Sequence, residues 1–199
     1  MSKKISRKER EKIVQELNMV KAAEKLFFKN GYESTTMDQI ALKAEYSKAT
    51  LYNHFKSKEQ IFLSVIDYKL ELFQKNLINN IKREITLESK LKSLIHIYLD
   101  FFIKNNQLFK IVHSEQFKLE DNSGTDYKSL LKHKFRKHIE SISNLFQESS
   151  LNESQTEFLA VLIHSILSGV LTYHFLFKKG NDIKILENNI FEYVKKLIK

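Results

Sequence analysis

The segment Thr36–Phe55, TMDQIALKAEYSKATLYNHF, is the most informative part of the N-terminal sequence. It contains two short runs of apolar side chains at helical spacing, Ile40, Ala41 and Ala44 in the first and Leu51 and Phe55 in the second. The tripeptide 44–46 between them suits a tight turn. Such a pair predicts a helix-turn-helix, whose second helix enters the major groove of DNA. Periodicity alone leaves open any other small helical hairpin.

Helix start and stop signals continue outward from this segment. Ser6 with Glu9 forms a capping box, and Gly31 suits a C-terminal cap, which predicts a helix over about 7–29. Thr36 with Gln39 and Ser57 with Gln60 form the same box, and Asn152 with Gln155 has the same spacing. Gly180 suits the end of one helix, and Asn181 or Asp182 suits the cap of the last. Capping side chains and apolar periodicity predict eight further helices: about 36–44, 47–53, 57–83, 86–105, 106–118, 126–149, 153–178 and 182–198.

The composition agrees with an all-α fold of about nine helices. The 199 residues include no proline and only four glycines, so a β-rich fold would lack its turn residues. The polar stretch 119–125 is the clearest loop. This length fits one domain or two small ones.

Several kinds of functional site are excluded by the same composition. Without cysteine the chain has no disulfide, thiolate metal site or cysteine nucleophile. Its glycines lie too far apart for a phosphate-binding loop. None of the seven histidines belongs to an HExxH motif or follows a glutamate by three residues, and no nucleophile is paired with a base. We therefore expect no enzyme, no metal site and no cofactor.

The charge distribution points to a polyanionic partner. The formal net charge is +9, and residues 1–60 hold 13 Lys and Arg against 8 Asp and Glu. Six of the first twelve residues are basic. They extend a basic arm toward a DNA groove or form a solvated tail, and the sequence leaves both readings open for Lys3, Lys4, Arg7, Lys8 and Arg10.

The uncharged segment 158–177, FLAVLIHSILSGVLTYHFLF, reaches the length of a transmembrane helix. Its histidine, serine, threonine and tyrosine side chains instead favour a buried helix of a soluble protein. Ser165 and Gly169 share one face and suit close approach of another helix. The basic N-terminus is followed by no apolar signal segment, so we expect a cytoplasmic protein without a membrane partner.

A longer segment, Leu26–Phe62, carries a family resemblance. LFFKNGYESTTMDQIALKAEYSKATLYNHFKSKEQIF resembles the DNA-binding domain of the TetR family of transcriptional repressors. The resemblance extends over about 13–73 without a gap. It implies a helix-turn-helix DNA-binding domain at 13–73, with the motif at 36–55, and a ligand-binding and dimerisation domain at 74–199.

The resemblance also implies roles for particular side chains. Thr36 and Lys58, each at the start of a helix, would contact the DNA backbone, and Tyr52 and His54 would offer polar groups to phosphate oxygens. The start of the recognition helix would meet base edges through Ser47, Lys48, Ala49 and Thr50. Helix capping, core packing and solvated charge are the alternatives.

Glu45 departs from the family pattern. The family usually has glycine in the turn between the two short helices, because glycine adopts a left-handed conformation at little cost. A glutamate there predicts either a turn strained by about 1 kcal/mol or a different turn geometry. Its carboxylate either faces solvent or modulates DNA affinity.

For the C-terminal part, the resemblance implies a homodimer through the helices at about 153–178 and 182–198 and an inducer bound among the central helices. Aromatic abundance favours an apolar or aromatic inducer. The candidate lining residues are Phe62, Ile66, Phe73, Tyr98, Phe101, Phe102, His113, Phe117, Phe146, His164 and Tyr173. Plain core packing is the alternative for each of them.

These expectations combine into one function. The dimer would bind a palindromic double-stranded operator as a repressor and be released by a small-molecule inducer through movement of the helix at 57–83. Two alternatives stay open: a nonspecific nucleic-acid-binding protein and a lipid-associated helical protein.

Overall fold

The computed structural model describes residues 6–113, 127–147, 151–177 and 183–197. Within these ranges the chain forms nine α-helices and no strand, which confirms the predicted all-α class. The helices are α1 (Arg7–Asn30), α2 (Met37–Lys43), α3 (Lys48–His54), α4 (Lys58–Ile81), α5 (Leu87–Lys104), α6 (Asn106–His113), α7 (Tyr127–Ser143), α8 (Glu153–Phe177) and α9 (Ile183–Leu197).

Side-chain caps define the N-terminal ends of these helices. At α2, the Gln39 N–H donates to Thr36 Oγ1 at 3.2 Å, and the Thr36 N–H donates to Gln39 Oε1 at 2.9 Å. The same reciprocal bonds start α1 at Ser6 and α8 at Asn152. The predicted caps at these three positions are therefore confirmed.

The predicted box at the start of α4 is only half formed. The Gln60 N–H donates to Ser57 Oγ at 3.2 Å, as expected, but the Gln60 side-chain oxygen accepts from the Lys56 N–H at 2.7 Å. The glutamine thus reaches one residue further back and satisfies a backbone donor outside the helix.

The helix predicted over 126–149 ends earlier than expected. α7 stops at Ser143, and a 3₁₀ turn follows at Asn144–Phe146. This turn buries Leu145 and Phe146, while Ser143 Oγ donates to Thr156 Oγ1 of α8 at 3.0 Å. Of the helix predicted over 106–118, residues after 113 lie outside the described ranges, as do the predicted loop 119–125 and the cap candidates Gly180, Asn181 and Asp182.

The chain divides into two compact units, and α4 contributes residues to both. The first unit extends to Lys69 and contains α1, α2 and α3. Its core is built around Phe62 of α4, whose ring lies 5.1 Å from that of Phe27 and 4.7 Å from that of Tyr32. Lys69 Nζ also lies 2.8 Å from Glu24 Oε1, so an ion pair joins α4 to α1.

The second unit begins at Leu70 and is organised around α5, which packs against α6, α8 and α9. Two polar contacts join α9 to α5: His96 Nδ1 lies 2.8 Å from Glu187 Oε1, and Lys195 Nζ forms an ion pair with Glu88 Oε2 at 3.1 Å. The buried face of α5 consists of Leu91, Leu94, Ile95, Ile97, Tyr98, Leu99 and Phe102.

α8 contains the long apolar segment singled out in the sequence. Among the described helices it alone is long and apolar enough to cross a membrane, by length and composition. Within one chain only 28% of its apolar window is buried. The prediction of a buried helix is therefore correct for one face of α8 only. That face packs against α5, and another face is exposed within the single chain.

Candidate DNA-binding surface and ligand cavity

The turn between α2 and α3 keeps a left-handed geometry despite its glutamate. Glu45 has φ 62°, and it alone among the described non-glycine residues has a positive φ. The Glu45 N–H donates to the Leu42 carbonyl at 3.2 Å, and the Tyr46 N–H donates to the Ala41 carbonyl at 3.0 Å. These two bonds form a Schellman cap, a motif that usually has glycine at this position. Of the two outcomes expected for Glu45, the strained turn is observed, and its side chain is exposed.

The recognition helix α3 begins at an exposed cap. The Thr50 N–H donates to Ser47 Oγ at 3.0 Å, and the hydroxyl oxygens of these two residues lie 2.7 Å apart. Both side chains therefore already have partners before any DNA is present. The predicted base-contact positions 47–49 are exposed, while Thr50 is half-buried.

Lys48 forms an ion pair with the preceding helix. Its Nζ lies 2.8 Å from Asp38 Oδ1, and the two side chains are 61% and 62% exposed. The hydrogen bond and charge of Asp38 raise the pKa of Lys48, so the ammonium group stays charged. An anionic group thus sits beside the first cation of the recognition helix.

His54 has a different environment from the predicted one. Its side chain is only 9% exposed, and its ring nitrogens lie 3.2 Å from Glu16 Oε1 and 3.1 Å from Gln15 Oε1. Both nitrogens are therefore engaged with α1. The imidazole holds α3 against α1 instead of offering a polar group to a phosphate.

The other predicted backbone contacts are Lys58, Thr36 and Tyr52, and the first two have partners within the unit. Lys58 Nζ donates to the carbonyls of Tyr32 at 3.0 Å and Glu33 at 3.4 Å, and it lies 4.3 Å from the centre of the Tyr32 ring. Thr36 is exposed while capping α2, and Tyr52 is 38% exposed on α3. In the basic N-terminal segment, Arg7, Lys8 and Arg10 are exposed, whereas Lys3 and Lys4 lie outside the described residues.

The second unit contains a cavity of about 480 Å³ between α4, α5, α7 and α8. This volume is typical of small-molecule sites. Its walls are mainly aromatic and aliphatic, formed by Leu70, Phe73, Ile78, Tyr98, Phe102 and Phe135. A larger groove of about 700 Å³ between α7 and α8 is lined mostly by polar and charged side chains.

Three polar rings cluster at one part of the cavity wall. The ring centroids of Tyr98 and His138 are 5.6 Å apart, those of Tyr98 and His164 are 5.7 Å apart, and the two imidazoles are separated by 5.1 Å. Tyr98 is 1% exposed. Burial raises the pKa of Tyr98 well above its usual range, an effect that a side-chain hydrogen bond with Ser168 partly opposes. The phenol is therefore a neutral hydrogen-bond donor.

Charged side chains also line this cavity, and most are basic. Among the described residues Glu71 is the one acidic member of the lining, and Lys134 Nζ lies 3.3 Å from Glu71 Oε1. The basic members are Lys75, Lys132, Lys134 and Lys137, so the lining carries a net positive charge.

The structure brings together only some of the predicted ligand residues. Phe73, Tyr98, Phe102 and His164 line the cavity, and Phe101 packs against Phe73 at 4.9 Å between ring centroids.

The other ligand candidates lie elsewhere. Phe62 and Ile66 are buried in the first unit, which corrects their assignment to the inducer site. Phe146 is the last residue of the 3₁₀ turn and is buried in the core, and Tyr173 is 53% exposed on α8. His113 is the last residue of α6, and the structure describes its backbone only. Phe117 lies outside the described residues.

The sequence reasoning missed the contribution of α7. Phe135 and His138 line the cavity from this helix together with three of the lysines. Their spacing of three residues was the available signal, because side chains three apart share a helix face.

The uncovered faces of α8 and α9 form a long apolar surface. On α8, Gly169 is exposed near its centre, and a side chain added there would meet nothing within 4 Å. The exposed large apolar side chains of the two helices are Phe158, Val161, Leu162, Tyr173, Leu176, Phe177, Ile185 and Tyr193.

Comparison with known proteins assigns the chain to a family. Residues 19–65 match the profile of bacterial regulatory proteins of the tetR family. The N-terminal part of the protein therefore carries a TetR-family domain. The TetC protein of transposon Tn10 from Escherichia coli is 34% identical over 91 residues, which cover 45% of each chain. The chain spans less than half the length of the first curated relatives that it matches.

Solved structures match most of the chain. A protein of Clostridium perfringens, described as a candidate fatty acid metabolism regulator, is 28% identical with a TM-score of 0.69, covering 92% of this chain and 98% of that one. FadR from Bacillus subtilis, solved with stearoyl-CoA, is 19% identical with a TM-score of 0.69, covering 89% and 96%. The second likeness concerns the fold alone.

Proposed function

We propose that this TetR-family protein is a homodimeric transcriptional repressor that binds a palindromic operator and is released by a small molecule in the cavity of the second unit. The observation that carries the proposal is the start of α3. There, exposed Ser47, Lys48 and Ala49 follow a turn held in left-handed geometry. Side chains at the N-terminal end of a recognition helix are those that meet base edges.

The proposed DNA contacts divide into two classes. Lys48 reads a base edge, as a cation donating to guanine O6 and N7, and Ala49 offers a methyl group to thymine. Thr36, Tyr52 and Lys58 contact the phosphate backbone and position the helix. Thr50 supports the base contacts through Ser47. His54 is left out, because both of its ring nitrogens are engaged with α1.

The proposed dimer forms through α8 and α9. Their uncovered apolar surface is the support, since exposed apolar patches of this kind commonly mark protein–protein contacts. The exposed Gly169 would let a second α8 approach closely. Two recognition helices about one turn of DNA apart, or a multiple of it, would then read a palindrome.

The proposed inducer is a long-chain acyl compound, a more specific class than the apolar or aromatic inducer that the sequence favoured. The apolar walls suit a hydrocarbon chain, and the lysines suit an anionic group. Among similar proteins, one is described as a candidate fatty acid metabolism regulator and another was solved with stearoyl-CoA.

Helix α4 is the proposed link between ligand and DNA. Its C-terminal part lines the cavity through Leu70, Phe73 and Ile78, and its first residue is Lys58. A ligand shifts α4 only if it binds the DNA-bound and released states with unequal affinity. We expect the released state to bind the acyl compound more tightly.

Operator binding tests this function. The purified dimer should bind DNA from upstream of its own gene more tightly than random DNA, with a log–log salt slope of about −0.9 per phosphate contact. Dodecanoyl-CoA should lower that affinity. Equal binding to operator and random DNA would instead favour a nonspecific nucleic-acid-binding protein, and recovery only with detergent would favour a lipid-associated one.

The division of roles has its own test. Lys58→Ala should weaken binding to all sequences alike and make the salt slope shallower by about 0.9, because it removes a phosphate contact. Lys48→Ala should change the preferred base at one position of each half-site. Identical behaviour of the two variants in a selection from random DNA would contradict the assignment.

A further inference from the structure

We infer that the anionic group of the ligand binds Lys134 in place of Glu71, and that this exchange loosens the contact between α4 and α7. The inference rests on the proposed acyl ligand and adds the event through which that ligand acts on α4. The chemistry required is an anionic oxygen, which is either the carboxylate of a free fatty acid or a phosphate of an acyl-CoA. The hydrocarbon chain then lies against the aromatic wall.

The exchange takes place at an ion pair that joins two walls of the cavity. Glu71 of α4 and Lys134 of α7 both line the cavity, and the lysine Nζ lies 3.3 Å from the glutamate Oε1. Among the described helices of the second unit, close backbone packing involves α5 and α8, whereas α4 and α7 meet mainly through side chains. The ion pair is therefore part of what holds α7 against α4.

A second polar contact between the same helices lies one turn further along. Gln74 follows Glu71 by three residues and so shares its face of α4. The Gln74 Nε2 donates to the Lys137 carbonyl at 3.4 Å and to the Ser141 hydroxyl. Gln74 and Lys137 also line the cavity. A row of polar contacts thus joins α4 to α7 beside the ligand, and a group that opens this row acts directly on α4.

The unequal burial of the two partners favours the exchange. The Lys134 side chain is only 16% exposed, whereas that of Glu71 is 50% exposed. A mostly buried ammonium group needs an anion close to it, because it has lost much of its hydration. A half-exposed carboxylate returns to water at little cost, since exposed ion pairs contribute little. An anion that enters the cavity can therefore replace Glu71, while Lys134 keeps an anionic partner throughout.

The remaining charges of the lining also favour an anion. Lys75, Lys132 and Lys137 line the cavity with exposed side chains and have the same charge as Lys134. A neutral ligand with the same hydrocarbon chain would fill the apolar part of the cavity and leave the Glu71–Lys134 pair intact. Because a ligand shifts an equilibrium only through unequal affinity for its two states, the anion and not the chain alone should move α4.

Three probes with the same chain test the binding part of this inference: dodecanoate, dodecanoyl-CoA and the neutral dodecan-1-ol. Isothermal titration calorimetry of the full-length protein gives the dissociation constant of each. Glu71→Gln should raise the affinity for an anionic probe by up to about fivefold, because the anion no longer competes with a carboxylate for Lys134. The affinity for dodecan-1-ol should stay the same. Which anionic probe gains affinity distinguishes a carboxylate from a phosphate as the source of the anion.

Two further variants separate the exchange from a general effect of charge. Glu88→Gln is the matched control, because it removes a carboxylate, 47% exposed, from an interhelical pair with Lys195 at 3.1 Å outside the cavity lining. It should leave all three affinities unchanged. Lys134→Met keeps the aliphatic stem but removes the ammonium group, and it should abolish the gain produced by Glu71→Gln in a double-mutant cycle. Thermal unfolding checks that each variant is folded.

Operator release tests the coupling to α4. Fluorescence anisotropy with labelled operator should show more release by the anionic probe that gains affinity than by dodecan-1-ol, with each probe at saturation. The alcohol occupies the same apolar walls but leaves α4 and α7 joined through Glu71 and Lys134.

Three results would overturn the inference. If Glu71→Gln increased the affinity for neither anionic probe, the anion would lie away from Lys134. A gain that persists in the Lys134→Met background would trace it to the overall charge of the cavity. Equal operator release by the alcohol and the anion would mean that the ion pair does not control α4. In these cases the proposed inducer class survives, whereas failure of both anionic probes to bind the wild-type protein would remove that class and this inference with it.

Discussion

At the scale of single residues, the most informative position is Glu45. Its left-handed backbone completes the cap of α2 and sets the direction in which α3 leaves the turn. Most L-residues avoid this conformation because Cβ crowds the following carbonyl. The chain thus keeps the geometry of a glycine turn with a residue that strains it.

Replacement of Glu45 by glycine should stabilise the protein. Relief of the backbone strain favours Glu45→Gly by about 1 kcal/mol, partly offset by the greater freedom of glycine in the unfolded chain. Glu45→Ala is the control, since it removes the carboxylate but keeps Cβ. Urea denaturation without DNA should show a higher midpoint for the glycine variant only. An equal gain with alanine would trace the effect to charge.

Between the two short helices lies the exposed Asp38–Lys48 pair, which would affect how readily α3 binds DNA in the proposed complex. The carboxylate repels phosphate and holds the lysine that is proposed to read a base. Exposed ion pairs contribute up to about 1 kcal/mol. Opening this pair therefore consumes a modest part of the binding free energy.

Asp38→Asn should raise operator affinity by up to about fivefold, because Lys48 no longer has to leave the Asp38 carboxylate before it binds DNA. Asp100→Asn provides the comparison, since Asp100 forms a 2.8 Å pair with Lys104 in the second unit. Fluorescence anisotropy with labelled operator should show a change for the first variant alone. Weaker binding by Asp38→Asn would mean that the carboxylate positions Lys48 productively.

The boundaries of elements were predictable where their causes are local. The caps at Ser6, Thr36 and Asn152 depend on residues three apart, so the sequence displays both partners. The contact of His54 with α1 was not predictable for the opposite reason: its partner Glu16 lies 38 residues away. Helical periodicity likewise marks Phe62 as buried, but it does not show in which unit α4 buries it.

At the scale of the whole molecule, α8 and α9 expose large apolar side chains that a single chain does not bury. The α8 face against α5 is covered, while Leu176 and Phe177 near its end are 68% and 71% exposed. The sequence predicted a buried helix from composition. Composition indicates how much apolar surface must be buried, but not whether the same chain or a second copy buries it.

Combined replacement of Leu176 and Phe177 by glutamate should dissociate the dimer. Because both side chains are exposed in one chain, the variant should keep its helical circular dichroism. Ile85→Glu removes another exposed apolar residue, 92% exposed and outside these helices, and should remain dimeric. Sedimentation equilibrium measures both. A dimeric double variant would exclude this surface as the interface.

If α8 mediates dimerisation, operator binding also depends on the concentration of the protein. If only paired chains bind the operator, occupancy depends on the square of the monomer concentration in dilute cells. Halving the amount of protein below the dimer dissociation constant would then leave about a quarter of the dimer. Because pairing stabilises the folded state by mass action, the same dilution would also lower the melting temperature. The amount of protein would thus regulate operator occupancy in addition to the ligand.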